Sequence, residues 1–130
     1  MKYLVQLSIL ALILSFNSVL FSQSKKQIDC AFLKNSKMMN ISMPNGGYVV
    51  FQDSIHMEYV DNGKYYIKSK LEWISDCEYN ATVIKFTWPE FVFPIGEVLN
   101  CKVTEIKNDT LFFDLRLRDI KMQQKYKLIK

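Results

Sequence analysis

The sequence holds a single histidine, three cysteines, three prolines and four glycines, and each scarcity removes a class of function. His56 alone cannot make a paired-imidazole metal site, and neither a Cys-x-x-Cys pair nor an Asp-rich calcium loop is present in its place. With glycine confined to Gly46, Gly47, Gly63 and Gly96, the chain contains no P-loop and no Gly-x-Gly-x-x-Gly cradle for a phosphate. No cofactor is expected. Excess charge of one sign is also lacking: 17 basic against 13 acidic residues give a net charge of +4, far from the balance of a nucleic-acid-binding domain. Arg116, Arg118, Lys121, Lys125, Lys127 and Lys130 gather near the end. Most of them alternate with apolar residues as the wet face of strands, where lysine also blunts an exposed edge.

Catalytic groups are equally sparse. His56 shares a strand face with Glu58, yet local spacing places no nucleophile beside them, and a nucleophile–base–orienter set needs three converging groups. Cys101 has Lys102 next to it, but neighbours in a strand point to opposite faces, so the cation does not activate the thiol. The chain is therefore read as non-enzymatic.

What is present begins with an export signal. Met1-Lys2 supplies a positive start, Leu4 to Leu14 is nearly unbroken apolar sequence, and Leu20-Phe21-Ser22-Gln23 offers a small residue at a cleavage point. This is the layout of a secretory signal peptide over residues 1–22. The apolar core is shorter than the roughly 20 residues that span a bilayer, Gln6 and Asn17 interrupt the longer window, and no cysteine follows for lipid attachment. Cleavage leaves Gln23 to Lys130 as one domain with no stable membrane span, working in the periplasm or outside the cell.

From Tyr48 onward the dominant hydrophobic period is two, the mark of half-buried strands. Tyr65, Ile67, Ser69, Leu71 and Trp73 oppose Lys68, Lys70 and Glu72. Leu111, Phe113, Leu115 and Leu117 oppose Asp114, Arg116 and Arg118. Leu99, Cys101 and Val103 alternate with polar residues, as do Met122, Tyr126 and Leu128. Pro44-Asn45-Gly46-Gly47, Asp61-Asn62-Gly63 and Lys107-Asn108-Asp109 supply turn chemistry between the runs. The pattern predicts an all-β fold: an antiparallel meander of about seven or eight strands, closing into a barrel or curling into a half-barrel. Helix is limited to a short piece near Ile28 to Leu33.

Strand phase also constrains the cysteines. Trp73 and Tyr79 both belong to apolar sets, and paired residues of an antiparallel ladder share a face. An odd loop such as Ser75-Asp76-Cys77 satisfies this and predicts the pairs Trp73–Tyr79, Leu71–Ala81 and Ser69–Val83. Cys77 then falls in a turn, whereas Cys101 sits mid-strand as a small buried hydrophobe. In an exported chain, where thiols oxidise, the expected disulfide is Cys30–Cys77.

The stretch Trp73-Ile74-Ser75-Asp76-Cys77-Glu78-Tyr79 resembles the Trp-x-x-Asp-Cys-x-Tyr motif of a family of small exported β-rich proteins of unknown function from flavobacterium-like bacteria. Cys30-Ala31-Phe32-Leu33-Lys34-Asn35-Ser36-Lys37 is similar to that family's early cysteine and following turn, with Ser36 where glycine is usual and Met38 where an aromatic residue is usual. The resemblance implies a lipocalin-like meander and supports the Cys30–Cys77 pair. It implies no catalytic or ligand-binding residue.

The most distinctive remaining segment is Phe86-Thr87-Trp88-Pro89-Glu90-Phe91-Val92-Phe93-Pro94-Ile95. Its prolines forbid a central strand, and its aromatics suit a lid over one end of the sheet. These features predict a non-catalytic exported module that binds a small apolar or amphipathic ligand, with Trp73, Tyr79, Trp88, Phe91, Phe93 and Phe113 as candidate ligand-binding residues. The alternative is a structural or protein-interaction domain of the cell envelope with a filled core, whose partner is an envelope protein. Interior volume separates the two.

Overall fold

The computed structural model describes residues 26–43, 45 and 47–130. The expected signal peptide, residues 1–22, lies outside the described residues. Within them the chain runs through a short 3₁₀ helix (Ala31–Asn35) and eight strands: β1 (Lys37–Asn40), β2 (Tyr48–Gln52), β3 (Ile55–Val60), β4 (Tyr65–Ser75), β5 (Glu78–Phe86), β6 (Val98–Lys107), β7 (Thr110–Leu117) and β8 (Ile120–Leu128). Each strand pairs antiparallel with the next, and β1 returns to β8 through Met38–Leu128 and Asn40–Tyr126, closing the sheet as a barrel. The all-β, lipocalin-like expectation holds, and the open choice between barrel and half-barrel resolves to full closure. The seam is short, so closure covers the β1 edge and the last residues of β8 while Ile120–Gln124 extend beyond it.

Residue chemistry explains the tight connections. Asp53, Asn108 and Arg118 each sit at positive φ in the two-residue turns β2–β3, β6–β7 and β7–β8, and Asp61, Asn62 and Gly63 do so in the β3–β4 turn. Asn and Asp tolerate this left-handed conformation better than other side-chain-bearing residues, and glycine adopts it without steric cost. Three bulges bend the wall. Ile84 and Thr104 are the extra residues opposite Lys68–Ser69 and Phe112–Phe113, and Ile74 is extra between Trp73 and Ser75. Bulges of this kind raise local twist and curvature, which a small barrel needs to close.

The Ile74 bulge refines the expected hairpin. Trp73–Tyr79, Leu71–Ala81 and Ser69–Val83 pair as expected, but Ser75 pairs with Glu78 across a two-residue turn, Asp76-Cys77. One bulged residue plus a two-residue turn keeps the same parity as a three-residue loop. The disulfide is Cys30–Cys77, with the Cα atoms 5.1 Å apart, and Cys101 is a buried free thiol. A disulfide suits a non-reducing compartment.

The interior divides into two halves. At one end the 3₁₀ helix buries Leu33 completely, and Leu33, Cys30, Met38, Val49, Phe51, Leu71, Val103, Leu111 and Phe113 form an apolar core continuous with the buried side of the wall. At the other end the segment joining β5 to β6 folds over the mouth. The outer faces of the longer strands carry Lys68, Lys70, Glu72, Arg116 and Lys125, so the wall faces water rather than lipid tails. Among the described residues no helix is long and apolar enough to cross a membrane.

Candidate functional site

The motif around Trp73 has a structural job. Asp76 pairs with Lys34 at 3.2 Å, the Lys34 ammonium lies 5.4 Å from the Trp73 ring, and Cys77 bonds Cys30. Trp73 itself packs at a tilt against Tyr79 with ring centroids 5.0 Å apart. Three neighbouring side chains of one hairpin thus clasp the N-terminal helix against the closed end of the barrel.

The open half holds a cavity of about 330 Å³, partly open to solvent. Strand alternation builds its wall. Ile67 and Ser69 come from β4, Tyr79, Ala81 and Val83 from β5, and Leu99 and Cys101 from β6. Leu115 and Leu117 of β7 and Met122, Gln124 and Tyr126 of β8 complete the circle opposite His56 and Glu58 of β3. Every one of these is an inward position of its strand, reached by steps of two.

The lid is the aromatic segment between β5 and β6. Thr87 is tied to β4 by two bonds, its N–H donating to the Tyr66 carbonyl at 2.9 Å and its hydroxyl accepting from the Tyr66 N–H at 3.0 Å. A turn follows, with the Phe91 N–H donating to the Trp88 carbonyl at 3.2 Å. Phe86, Phe91 and Phe93 then pack in sequence, the first pair tilted and the second edge-to-face, with ring centroids 4.9 and 5.7 Å apart. The far end is anchored by Glu97, whose carboxylate accepts two bonds from Arg118 at 2.7 and 2.9 Å while the guanidinium lies 6.0 Å from the Phe93 ring. This fork-to-fork geometry is the strong form of the pair, and it holds the Glu97 carboxyl below its ordinary range. The segment buries one side only. Trp88, Phe91 and Phe93 are half-buried against the cavity, whereas Val92 is 82% exposed and Ile95 65% exposed. It is neither a complete plug nor a free loop.

Of the residues singled out in the sequence, Tyr79, Trp88, Phe91 and Phe93 line the cavity. Trp73 belongs to the clasp just described, and Phe113 is fully buried in the core, packed edge-to-face on Tyr126 at 5.0 Å. Both were expected inward and both are inward, but at the filled end of the barrel.

His56, Glu58 and Cys101, set aside in the sequence as catalytic groups, are polar members of the cavity wall, together with Ser69 and Gln124. His56 is 7% exposed, its ring 4.9 Å from Phe51, and its Nδ1 is buried without a hydrogen-bond partner. Burial alone brings its imidazole down to about 4, so it is neutral at pH 7. Burial likewise pushes the Glu58 carboxyl above its usual range, and among the described residues neither a cation nor a hydrogen bond counters the effect. Gln124 accepts from the Asn40 amide at 3.2 Å and from the Tyr126 hydroxyl at 2.7 Å. The Cys101 thiol is pushed up to about 12, mainly by burial, against the Tyr79 hydroxyl. The signal for these residues was their phase: Glu58, Ser69 and Gln124 are polar residues at positions where the alternation demands apolar ones. No three His, Cys, Asp or Glu side chains among the described residues are grouped to hold a metal ion.

Fold and site together define a closed up-and-down β-barrel with a lidded internal cavity. No protein-family model matches the chain, and no curated protein or solved structure shows significant similarity to it.

Proposed function

We propose that the protein is a non-catalytic exported binding module whose barrel takes up a small apolar or amphipathic molecule. The observation that carries this reading is the cavity of about 330 Å³ under an aromatic lid. That volume lies at the lower end of small-molecule sites, and its wall is mostly Leu, Ile, Val, Ala and aromatic side chains. The disulfide and the water-facing wall support a place in the periplasm or outside the cell. A non-catalytic role is supported by a thiol held protonated at Cys101 and by a His56 with no nucleophile bonded to it. The resemblance of the Trp73–Tyr79 segment to exported β-rich proteins accords with this reading.

Displacement of a neutral fluorescent probe by a series of linear alcohols tests it. Saturable, stoichiometric binding that Phe91→Ala weakens by about tenfold is the expected result. A barrel that binds neither probe nor alcohol, and carries no small molecule in native mass spectrometry, overturns it. The exposed Val92 and Ile95 favour the second reading, an envelope-protein contact through the lid. Under that reading Val92→Asp abolishes association with the partner while alcohol binding is absent from the start.

A further inference from the structure

Every polar group that faces the cavity is an acceptor, a neutral side chain or an acid. Glu58 lies within it, Glu90 and Glu97 stand along the lid, and among the described residues no lysine or arginine lines it. The protein as a whole carries net positive charge, so this local balance runs against the composition. Glu97 is already matched by Arg118. Glu58 has no cationic partner among the described residues. Glu58 is half-buried, and beside it on β3 the Nδ1 of His56 is a buried atom without a hydrogen-bond partner. Buried polar atoms are almost always hydrogen-bonded, so the His56 nitrogen beside the cavity lacks a partner, which the described residues do not supply. The Gln124 oxygen is different, being filled by Asn40 and Tyr126.

We propose that the cavity is selective for amphiphiles with a cationic head, a primary ammonium on an apolar chain, seated between Glu58 and His56. The inference rests on the binding-module reading and specifies its ligand class. The chemistry is complementary on each count. An ammonium carries several N–H donors and no acceptor, which suits a carboxylate together with the lone pair of a neutral imidazole. Its charge offsets the one acid in the wall that has nothing to balance it. A fatty carboxylate would add a second negative charge at short range in a poorly screened cavity, where like charges repel strongly. An apolar tail would lie along Ile67, Val83, Leu99 and Leu115 toward the lid.

Proton linkage gives the proposal its own signature. The titratable groups facing Glu58 are His56 on β3, Tyr79 on β5, Cys101 on β6 and Tyr126 on β8, with Glu90 and Glu97 on the lid; Val49 and Ile67 flank it on β2 and β4. His56 stays neutral above pH 5, and Tyr79, Cys101 and Tyr126 stay protonated past pH 8. Glu58 is the wall residue whose charge an ammonium would govern, because burial raises its carboxyl above the usual carboxylate range. A bound ammonium favours the ionised form, so amine affinity increases with pH and binding releases a proton.

The experiment compares octylamine, 1-octanol and octanoate on the full chain, by calorimetry or probe displacement, between about pH 5 and pH 8. Octylamine should bind at least about tenfold tighter than 1-octanol at the upper pH, with octanoate weakest, since charge-assisted hydrogen bonds supply that margin. In Glu58→Gln the octylamine-to-octanol ratio should fall to about one and its pH dependence vanish, with the near-ultraviolet dichroism reporting that the barrel is intact. Octanoate binding as tightly as octylamine, or an amine preference that survives in Glu58→Gln, overturns the proposal while leaving alcohol binding in place. If none of the three binds, the cavity is not a ligand site and the parent reading fails with it.

Discussion

His56 is the residue at which burial and ionisation compete most directly. In the unfolded chain its imidazole titrates at the ordinary 6.5, and in the fold at about 4. Between those values the unfolded chain binds a proton that the folded one refuses, so unfolding gains as the solution is acidified. The stability tied to His56 is complete above pH 6.5 and drains away down to pH 4, by about 3 kcal/mol. Glu58 works in the opposite sense, since its raised carboxyl makes protonation favour the folded state as the pH falls. His56→Leu removes the first effect and keeps the second. Denaturant unfolding at pH 7 and pH 4 should show the wild type losing about 3 kcal/mol more than the variant across that interval. Equal losses would mean that the buried imidazole is not what acid attacks. Cys101 supplies a second residue-scale check. Because its thiol is buried and held protonated, alkylation of the unreduced protein should label nothing in the native state and one thiol after denaturation, detected by mass spectrometry.

At the scale of elements, the closed end depends on a clasp and the open end on a lid. The clasp joins the 3₁₀ helix to the β4–β5 hairpin through Cys30–Cys77 and Lys34–Asp76. Lys34 and Asp76 are both well exposed, so their ion pair contributes little. The covalent bridge, between residues 47 apart in sequence, carries most of the effect, roughly 4 kcal/mol in the chain-entropy model. The Cys30→Ser/Cys77→Ser double variant should therefore lose several kcal/mol in denaturant unfolding, and reduced wild type should match it. A variant as stable as the oxidised protein would show that the helix docks without the bridge. The lid is held differently. Arg118 occupies a left-handed backbone position that a long side chain adopts only at a cost, and the two bonds to Glu97 offset that cost. Arg118→Gly relieves the backbone and frees the lid. It should leave thermal stability within about 1 kcal/mol of wild type and speed ligand release, as read by stopped-flow dissociation of a bound probe. Unchanged release would place the gate elsewhere.

The whole molecule is one wall enclosing two unlike halves, and Phe113 and Phe91 distinguish them. Phe113 sits in the packed half, so Phe113→Ala should cost about 3–5 kcal/mol in stability. Phe91 roofs the cavity and is half-exposed, so Phe91→Ala should cost far less stability and act on binding. Comparable destabilisation by the two would mean that the barrel is filled throughout. Much of this architecture was legible in the sequence. The alternation from Tyr48 onward specifies which side of each strand is wet, and the parity around Trp73 specifies the β4–β5 register and frees Cys77 for Cys30. The candidate site was legible in part. Tyr79, Trp88, Phe91 and Phe93 were recognisable as aromatics in inward or lid positions, but nothing local distinguishes them from Trp73 and Phe113. Periodicity reports the face on which a side chain lies, and says nothing of its height along the barrel axis.

The same limit separates what the chain determines by its order from what needs three dimensions. Alternation, turn residues and cysteine phase are near-neighbour properties, so the sequence alone determines an antiparallel meander with a bridged N-terminus. Closure depends on β1 meeting β8, and the accumulated twist and bulges of the whole sheet bring those distant strands together. The cavity depends in turn on closure. Only when the ends join do Glu58, His56, Cys101 and Tyr126 face a shared space, with no cation among the described residues to balance the carboxyl. That encounter of residues far apart in sequence was decided by tertiary structure, because each of them taken alone is an ordinary inward side chain.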